Sequence, residues 1–169
     1  VVVGTSAGGV EALTALGGSL PVDLPAALMV VIHLPATVPS MLPRILSRAG
    51  SLPAVHPKNG EMIRRGTIYV SPPDYHLEIS PGRVQITHTP TENGYRPSVD
   101  TLFRSAASTY GPRVVGVVLT GMLSDGAVGL LTIRQAGGIT ILQDPEEALY
   151  PAMPENALRR TVVDLVLPI

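Results

Sequence analysis

A doubly wound, mostly parallel α/β sheet flanked by helices, with a short antiparallel β-hairpin insertion, is the fold class this sequence predicts. Three observations predict it. Apolar runs of strand length alternate with amphipathic stretches of helix length, the rhythm of repeated βαβ units. The runs are aliphatic throughout instead of alternating with polar residues, as in strands buried on both faces. Between residues 51 and 97 that rhythm gives way to closely spaced turns, which places the antiparallel piece there.

The first strand is expected at Val1–Gly4, where three valines lead into the turn Gly4-Thr5-Ser6-Ala7-Gly8-Gly9. Gly9–Leu16 is apolar at helical spacing and follows as a helix. Ala27–His33 reads as the second core strand, and Pro39–Ala49 as an amphipathic helix. Thr67–Ser71 is a third core strand. Leu77–Ser80 and Arg83–Thr87 flank Pro81-Gly82 as the arms of a hairpin would, and Ser71-Pro72-Pro73-Asp74 and Glu92-Asn93-Gly94 read as turns. Ser98–Tyr110 opens with a serine cap and carries Val99, Leu102, Phe103 and Ala106 along one face. Val114–Thr120, Gly138–Gln143 and Val162–Leu167 complete the strands, with a helix over Asp125–Ala136 that stops at Gly137-Gly138.

Composition narrows the function. The 169 residues, 45% of them hydrophobic, suffice for a single domain over 1–169 with one core, and no domain boundary or internal repeat stands out. Net charge is −1 with no basic run, and one Phe and five Tyr lie scattered, so the footprint of a nucleic-acid binder is missing. The absence of cysteine excludes disulfides, thiol catalysis and cysteine-ligated metal within these residues. No apolar run reaches the roughly 20 residues of a membrane span, and no basic-then-apolar leader opens the chain, so a soluble, cytoplasmic domain without direct membrane insertion is expected. The start inside a core strand, without methionine, suggests a piece of a longer protein.

In open α/β sheets the ligand sits beyond the carboxyl ends of the strands, so polar residues ending apolar runs are the first candidates for chemistry. Three stand out. Ser6 lies in a G-x-S-x-G turn, the presentation used for nucleophilic serines. His33 closes Val30-Val31-Ile32, and Asp125 lies in the turn after Val117–Thr120. A serine needs a base to take its proton, and that histidine needs a carboxylate to fix its tautomer. Plainer readings exist for each: a serine N-cap or phosphate-cradling loop, a hydrogen-bonded structural histidine, and an aspartate capping the helix that follows it. Neither a P-loop nor G-x-G-x-x-G is present. His56, His76 and His88 fall in the turn-rich stretch and read as exposed loop or hairpin histidines; His76-x-Glu78 lacks a third ligand, so no metal site and no cofactor are expected. Asp144-Pro145-Glu146-Glu147 reads as a solvated loop.

With those residues in view, the chain resembles the catalytic domain of the CheB-type protein-glutamate methylesterases. The likeness rests on Gly4–Gly9, on Val31-Ile32-His33-Leu34-Pro35, on Ile68–Leu77, on Arg96–Ser105, on Leu119–Met122 with Asp125–Leu130, on Arg134–Gly138, and on Ala152-Met153-Pro154. The resemblance implies hydrolysis of γ-glutamyl methyl esters on the cytoplasmic helices of methylated chemoreceptors, releasing methanol, and deamidation of receptor glutamines. It implies Ser6 as nucleophile, His33 as general base, Asp125 as orienting carboxylate, and the backbone amides of Met122 and Ala7 as oxyanion hole. Ser124 and Ala7 stand where many relatives carry asparagine and threonine, and neither change touches a backbone donor. The family's phosphorylatable receiver domain is not encoded in these residues, so a receiver or other fused signalling partner is an expected associate. The order Ser, His, Asp differs from that of α/β-hydrolases. The alternative is a methylesterase-like binding module without catalysis.

Overall fold

The computed structural model describes all 169 residues, Val1–Ile169. Nine strands and five helices follow one another along the chain: β1 (Val2–Thr5), α1 (Gly9–Ser19), β2 (Leu28–Ile32), α2 (Leu42–Ala49), β3 (Ala54–Val55), β4 (Ile68–Val70), β5 (His76–Ser80), β6 (Arg83–Thr87), α3 (Val99–Tyr110), β7 (Val115–Val118), α4 (Ala127–Gln135), β8 (Ile139–Gln143), α5 (Ala152–Arg160) and β9 (Leu165–Leu167). Seven strands form one parallel sheet in the order β3-β4-β2-β1-β7-β8-β9, and β5 and β6 pair separately as an antiparallel ribbon. The doubly wound class and its hairpin insertion are therefore as the sequence predicts.

Each face of the sheet buries its own cluster. Val3, Val30, Ile32 and Val70 meet Leu13 of α1 and Leu42 and Leu46 of α2 on one side. On the other, Val2, Val31, Tyr69 and Val118 meet Phe103 of α3, Leu130 and Ile133 of α4 and Met153 of α5. Period-2 alternation thus sends Val2 and Gly4 toward α3 while Val3 and Thr5 face α1, and it aims the next residue, Ser6, back to the α3 side. On β2 the same alternation puts Met29, Val31 and then His33 on that side.

Strand order reverses between β1 and β7. The chain winds from β1 outward through β2, then returns to lay β7 against β1, pairing Val2 with Gly116 and Gly4 with Val118. Loops leaving β1 and β7 consequently part at a crevice over the carboxyl ends of these two strands, the place where doubly wound sheets hold their ligands.

Glycine makes the crevice tight. A Cβ on Gly4 would strike the Val99 methyls at the start of α3, so its hydrogen is what lets that helix end lie directly on β1. At Gly121, just past β7, a Cβ would strike Met153 and come 2.9 Å from the Cβ of Ser6.

Several elements differ from the sequence expectation. The helix expected to begin at Asp125 begins at Ala127, which frees the aspartate for the site. β7 stops at Val118, and β9 covers only Leu165–Leu167. Two elements have no counterpart in the sequence reading: β3 is two residues between Pro53 and Pro57, and α5 holds Pro154 in its first turn, where the missing N–H costs nothing but the Met-Pro text looks like a turn.

The contact between Gly4 and Val99 sets an expectation. Gly4→Ala should lower unfolding free energy by about 1 to 3 kcal/mol through overpacking. The double variant Gly4→Ala with Val99→Ala should lose less than the sum of the single losses, because the added methyl enters the space that the valine vacates. Urea midpoints of the four proteins measure this directly.

Candidate active site

Ser6, His33 and Asp125 arrive from three strand ends. β1 and β2 are paired in register through Thr5 and Ile32, and the His33 amide continues the ladder to the Thr5 carbonyl at 3.3 Å. Ser6 and His33 are therefore the next neighbours beyond the paired strands. The Ser6 amide bonds in turn to the Thr120 carbonyl after β7 at 3.1 Å, so the serine backbone is held from both sides. Gly8, at φ 73°, turns the chain into α1. Gly8, not Ser6, occupies the N-cap of α1, so the plain capping role for the serine does not apply.

His33 and Asp125 form a buried pair. Nε2 of His33 lies 2.8 Å from Oδ2 of Asp125, with only 6% and 0% of the two side chains exposed. Nδ1 of His33 is buried too and has no hydrogen-bond partner. Ser6 Oγ makes no hydrogen bond in this arrangement, to His33 or to any other group.

The carboxylate is surrounded by donors. Oδ1 of Asp125 accepts from Asn93 Nδ2 at 3.0 Å, Ser98 Oγ at 2.9 Å and the Asp100 amide at 3.1 Å, while Oδ2 also accepts from the Val99 amide at 2.7 Å. Asp125 thus caps α3, a helix 25 residues earlier, using amides that have no intrahelical partner and the positive end of the helix dipole. Asp100 answers from inside α3: its Oδ1 accepts the Gly126 amide at 3.0 Å and the Gly129 amide at 2.6 Å at the start of α4. Each helix is capped by the other's carboxylate, and Asn93 Nδ2 also reaches Asp100 Oδ2 at 2.8 Å.

The two buried acids respond oppositely. Burial alone would push Asp125 up, but the bonds from His33, the Val99 amide, Asn93 and the Asp100 amide outweigh it and hold the carboxyl below its ordinary range. Burial, and then the neighbouring Asp125 charge, raise Asp100 despite its amide bonds. An ionised Asp125 can only accept, so the shared proton sits on His33 Nε2 and the lone pair of the neutral ring sits on Nδ1. The free nitrogen is the one a base needs.

The loop after β7 completes the arrangement. Gly121 donates to the Tyr150 carbonyl at 2.8 Å and accepts from the Met153 amide at 3.0 Å, and Asn156 Nδ2 bonds to the Leu123 carbonyl at 2.8 Å. Leu123 stands at φ 65°, a left-handed conformation that a leucine keeps only when its surroundings impose it. Neither the Met122 amide nor the Ala7 amide donates to any protein acceptor.

Other sequence candidates lie elsewhere. His76, expected to be exposed, is fully buried: Nε2 bonds to the Pro90 carbonyl at 3.0 Å and Nδ1 accepts from the Ser98 amide at 3.2 Å. It is a bracket under α3, and its place on the first residue of the hairpin turns it into the core. His56 is half-buried between the Val70 and Ser40 carbonyls, while His88 is exposed beside Asp74. No group of three His, Asp or Glu side chains is placed to hold a metal ion. Asp144 serves its own loop, accepting from the Glu146 amide, while Glu147 accepts from the amide of the C-terminal Ile169. Ser98 stands at the N-cap of α3 as expected, but its hydroxyl bonds to Asp125 instead of capping the helix. Sequence reasoning missed Asn93, Asp100 and Tyr95, whose ring stacks on His33; the Asn-Gly turn was the one signal available for the first.

Comparison with known proteins gives the family. The family model described as CheB methylesterase matches residues 1–169. The chain belongs to the CheB methylesterase family. It is 39% identical to the protein-glutamate methylesterase/protein-glutamine glutaminase 2 of Methanosarcina mazei, across 99% of this chain and 48% of that protein. A putative protein-glutamate methylesterase/protein-glutamine glutaminase of Leptospira interrogans is 36% identical, across 99% of this chain and 87% of the relative. The crystal structure of the Thermotoga maritima CheB methylesterase catalytic domain superposes with a TM-score of 0.93 at 32% identity, covering 99% and 90% of the two chains. The chain spans about half the length of the archaeal relative. No helix is long and apolar enough to cross a membrane.

The carboxylate's environment has a pH consequence. Asp125 is held below the unfolded-state value of about 3.9, so its stabilisation is present above that value and is lost as pH falls through the lower folded-state value. Asp100 acts in the opposite sense, its contribution being lost as pH rises through its raised folded-state value. Asp125→Asn should cost about 3 kcal/mol at pH 7, because at least one donor is left facing an amide N–H. The gap in urea midpoint between wild type and variant should narrow as pH is taken from 5 toward 3.

Proposed function

We propose that this chain is the catalytic unit of a protein-glutamate methylesterase. It hydrolyses γ-glutamyl methyl esters on the cytoplasmic helices of chemoreceptors to glutamate and methanol, and it hydrolyses receptor glutamine amides to glutamate and ammonia. The observation that carries the reading is the buried His33–Asp125 pair at the β1/β7 crevice, with one imidazole nitrogen unpartnered on the sheet face that Ser6 shares.

The chemistry follows from that pair. Ser6 Oγ attacks the ester carbonyl while its proton passes to Nδ1 of His33; Asp125 holds the Nε2 proton and stabilises the imidazolium that forms. The carbonyl π electrons move onto oxygen, where the Ala7 and Met122 amides donate, each worth on the order of 3 kcal/mol to the transition state. Collapse expels methoxide, which takes the proton from Nδ1 and leaves as methanol. Water then attacks the acyl-serine, Nδ1 takes its proton and returns it to Ser6, and glutamate is released. The serine hydroxyl closes on Nδ1 when substrate fills the crevice, as catalytic hydrogen bonds commonly tighten only in the complex. The exposed apolar side chains of Met122, Leu123 and Leu149 around Gly121 offer a lip for an uncharged ester side chain on a helical substrate.

Ser6→Ala should abolish methanol release from methylated receptor membranes and covalent labelling by a fluorophosphonate, with a native circular dichroism spectrum. His33→Gln should reduce turnover by about a thousandfold or more while receptor binding persists. Methanol release by Ser6→Ala at the wild-type rate would refute the proposal.

A further inference from the structure

The turn Glu92–Tyr95 delivers a group that the mechanism above does not use. Glu92 and Tyr95 pair with each other through both backbone bonds, at 3.0 and 2.9 Å, and the two central residues stand at φ 54° for Asn93 and 82° for Gly94. That is the conformation Asn-Gly favours, and it fixes the turn without help from distant contacts. The turn is fastened to α3 as well: Glu92 takes Arg104 through two bonds, at 2.5 and 2.6 Å, and Thr101 at 3.1 Å. From this anchored turn two side chains descend on the site. Asn93 bonds to Asp125, and the Tyr95 ring lies parallel to the His33 ring, with centroids 3.6 Å apart and an interplanar angle of 2°.

Asp125 alone cannot hold the base. One hydrogen bond fixes the position of Nε2 but leaves the imidazole free to tilt about that atom, and a tilt changes the direction in which the Nδ1 lone pair points. A flat surface against the ring face removes that freedom. Tyr95 supplies it with its ring alone, since its hydroxyl makes no hydrogen bond to the protein. The ring has two soft torsions and a backbone pinned at both ends, so it is a stiff wall.

We infer that Tyr95 is the positioning residue for His33, holding the imidazole plane in the one orientation from which Nδ1 takes the Ser6 proton when substrate closes the site. The inference rests on the reading of His33 as the base. It specifies which chemical property of residue 95 matters: a flat aromatic face, with no need for the phenol.

The test uses the whole chain and three variants, Tyr95→Phe, Tyr95→His and Tyr95→Leu, with kcat and KM on methylated receptor, the fluorophosphonate labelling rate of Ser6, and the urea midpoint. Tyr95→Leu should lose tenfold to a hundredfold in kcat and in labelling rate, with KM within about twofold, the size of effect that a base misplaced by about 1 Å produces. Tyr95→Phe and Tyr95→His should recover most of that loss, since both keep a planar ring. Rates normalised to the folded fraction keep the comparison valid if leucine loosens the turn, and recovery by phenylalanine or histidine at an equal midpoint decides the matter. Tyr95→Leu at the wild-type kcat, a loss confined to KM, or a loss equal in all three variants would overturn the inference. Those results with Ser6→Ala and His33→Gln still inactive would sink the role of Tyr95 alone, whereas methanol release by Ser6→Ala at the wild-type rate would sink the esterase reading itself.

Discussion

Asp125 is buried with its charge, and everything around the site follows from how that charge is satisfied. An isolated carboxylate in such a place would cost several kcal/mol and would take up a proton. Five donors prevent this: His33, Asn93, Ser98 and the amides of Val99 and Asp100. Three of the five come from the start of α3, so the helix end acts as a fixed positive pole under the carboxylate. An anchored anion can then do two things for the imidazole: choose the nitrogen that carries the proton and stabilise the ring when it gains a second one.

The same network ties the site to the fold. Asp100 returns the favour by capping α4 with bonds to Gly126 and Gly129, so α3 and α4 lock together end to end and neither carboxylate can leave without freeing amides at the other helix. Gly4 permits the approach of α3 to β1, and Gly121 permits the approach of the β7 loop to Ser6. Small residues at the switch point thus let α3, the Ser6 turn and the β7 loop pack in direct contact.

Much of this was legible beforehand. The strand ends carrying Ser6, His33 and Asp125 could be read because buried parallel strands are near-continuous aliphatic runs, and polar residues in the turns that follow them lie at the edge where such sheets hold ligands. What could not be read was contact between distant segments. Nothing local marks Asp125 as the cap of α3, since capping rules look for partners within a few residues. Tyr95 and Asn93 sit in a stretch that reads only as a turn, because turn chemistry fixes backbone shape and is silent about where the side chains land. His76 looked like a loop histidine because the hairpin's burial under α3 is a tertiary fact. α5 was hidden by its prolines, one at the N-cap and one in the first turn, where a helix tolerates them.

The claim at the centre of this account is that Asp125 holds the Nε2 proton of His33 and leaves Nδ1 as the proton acceptor. Nitrogen-15 NMR of the neutral imidazole at a pH where the protein is active reads it most directly. The account predicts a protonated Nε2, hydrogen-bonded to the carboxylate, and a bare Nδ1. A proton on Nδ1 with Nε2 bare would contradict it.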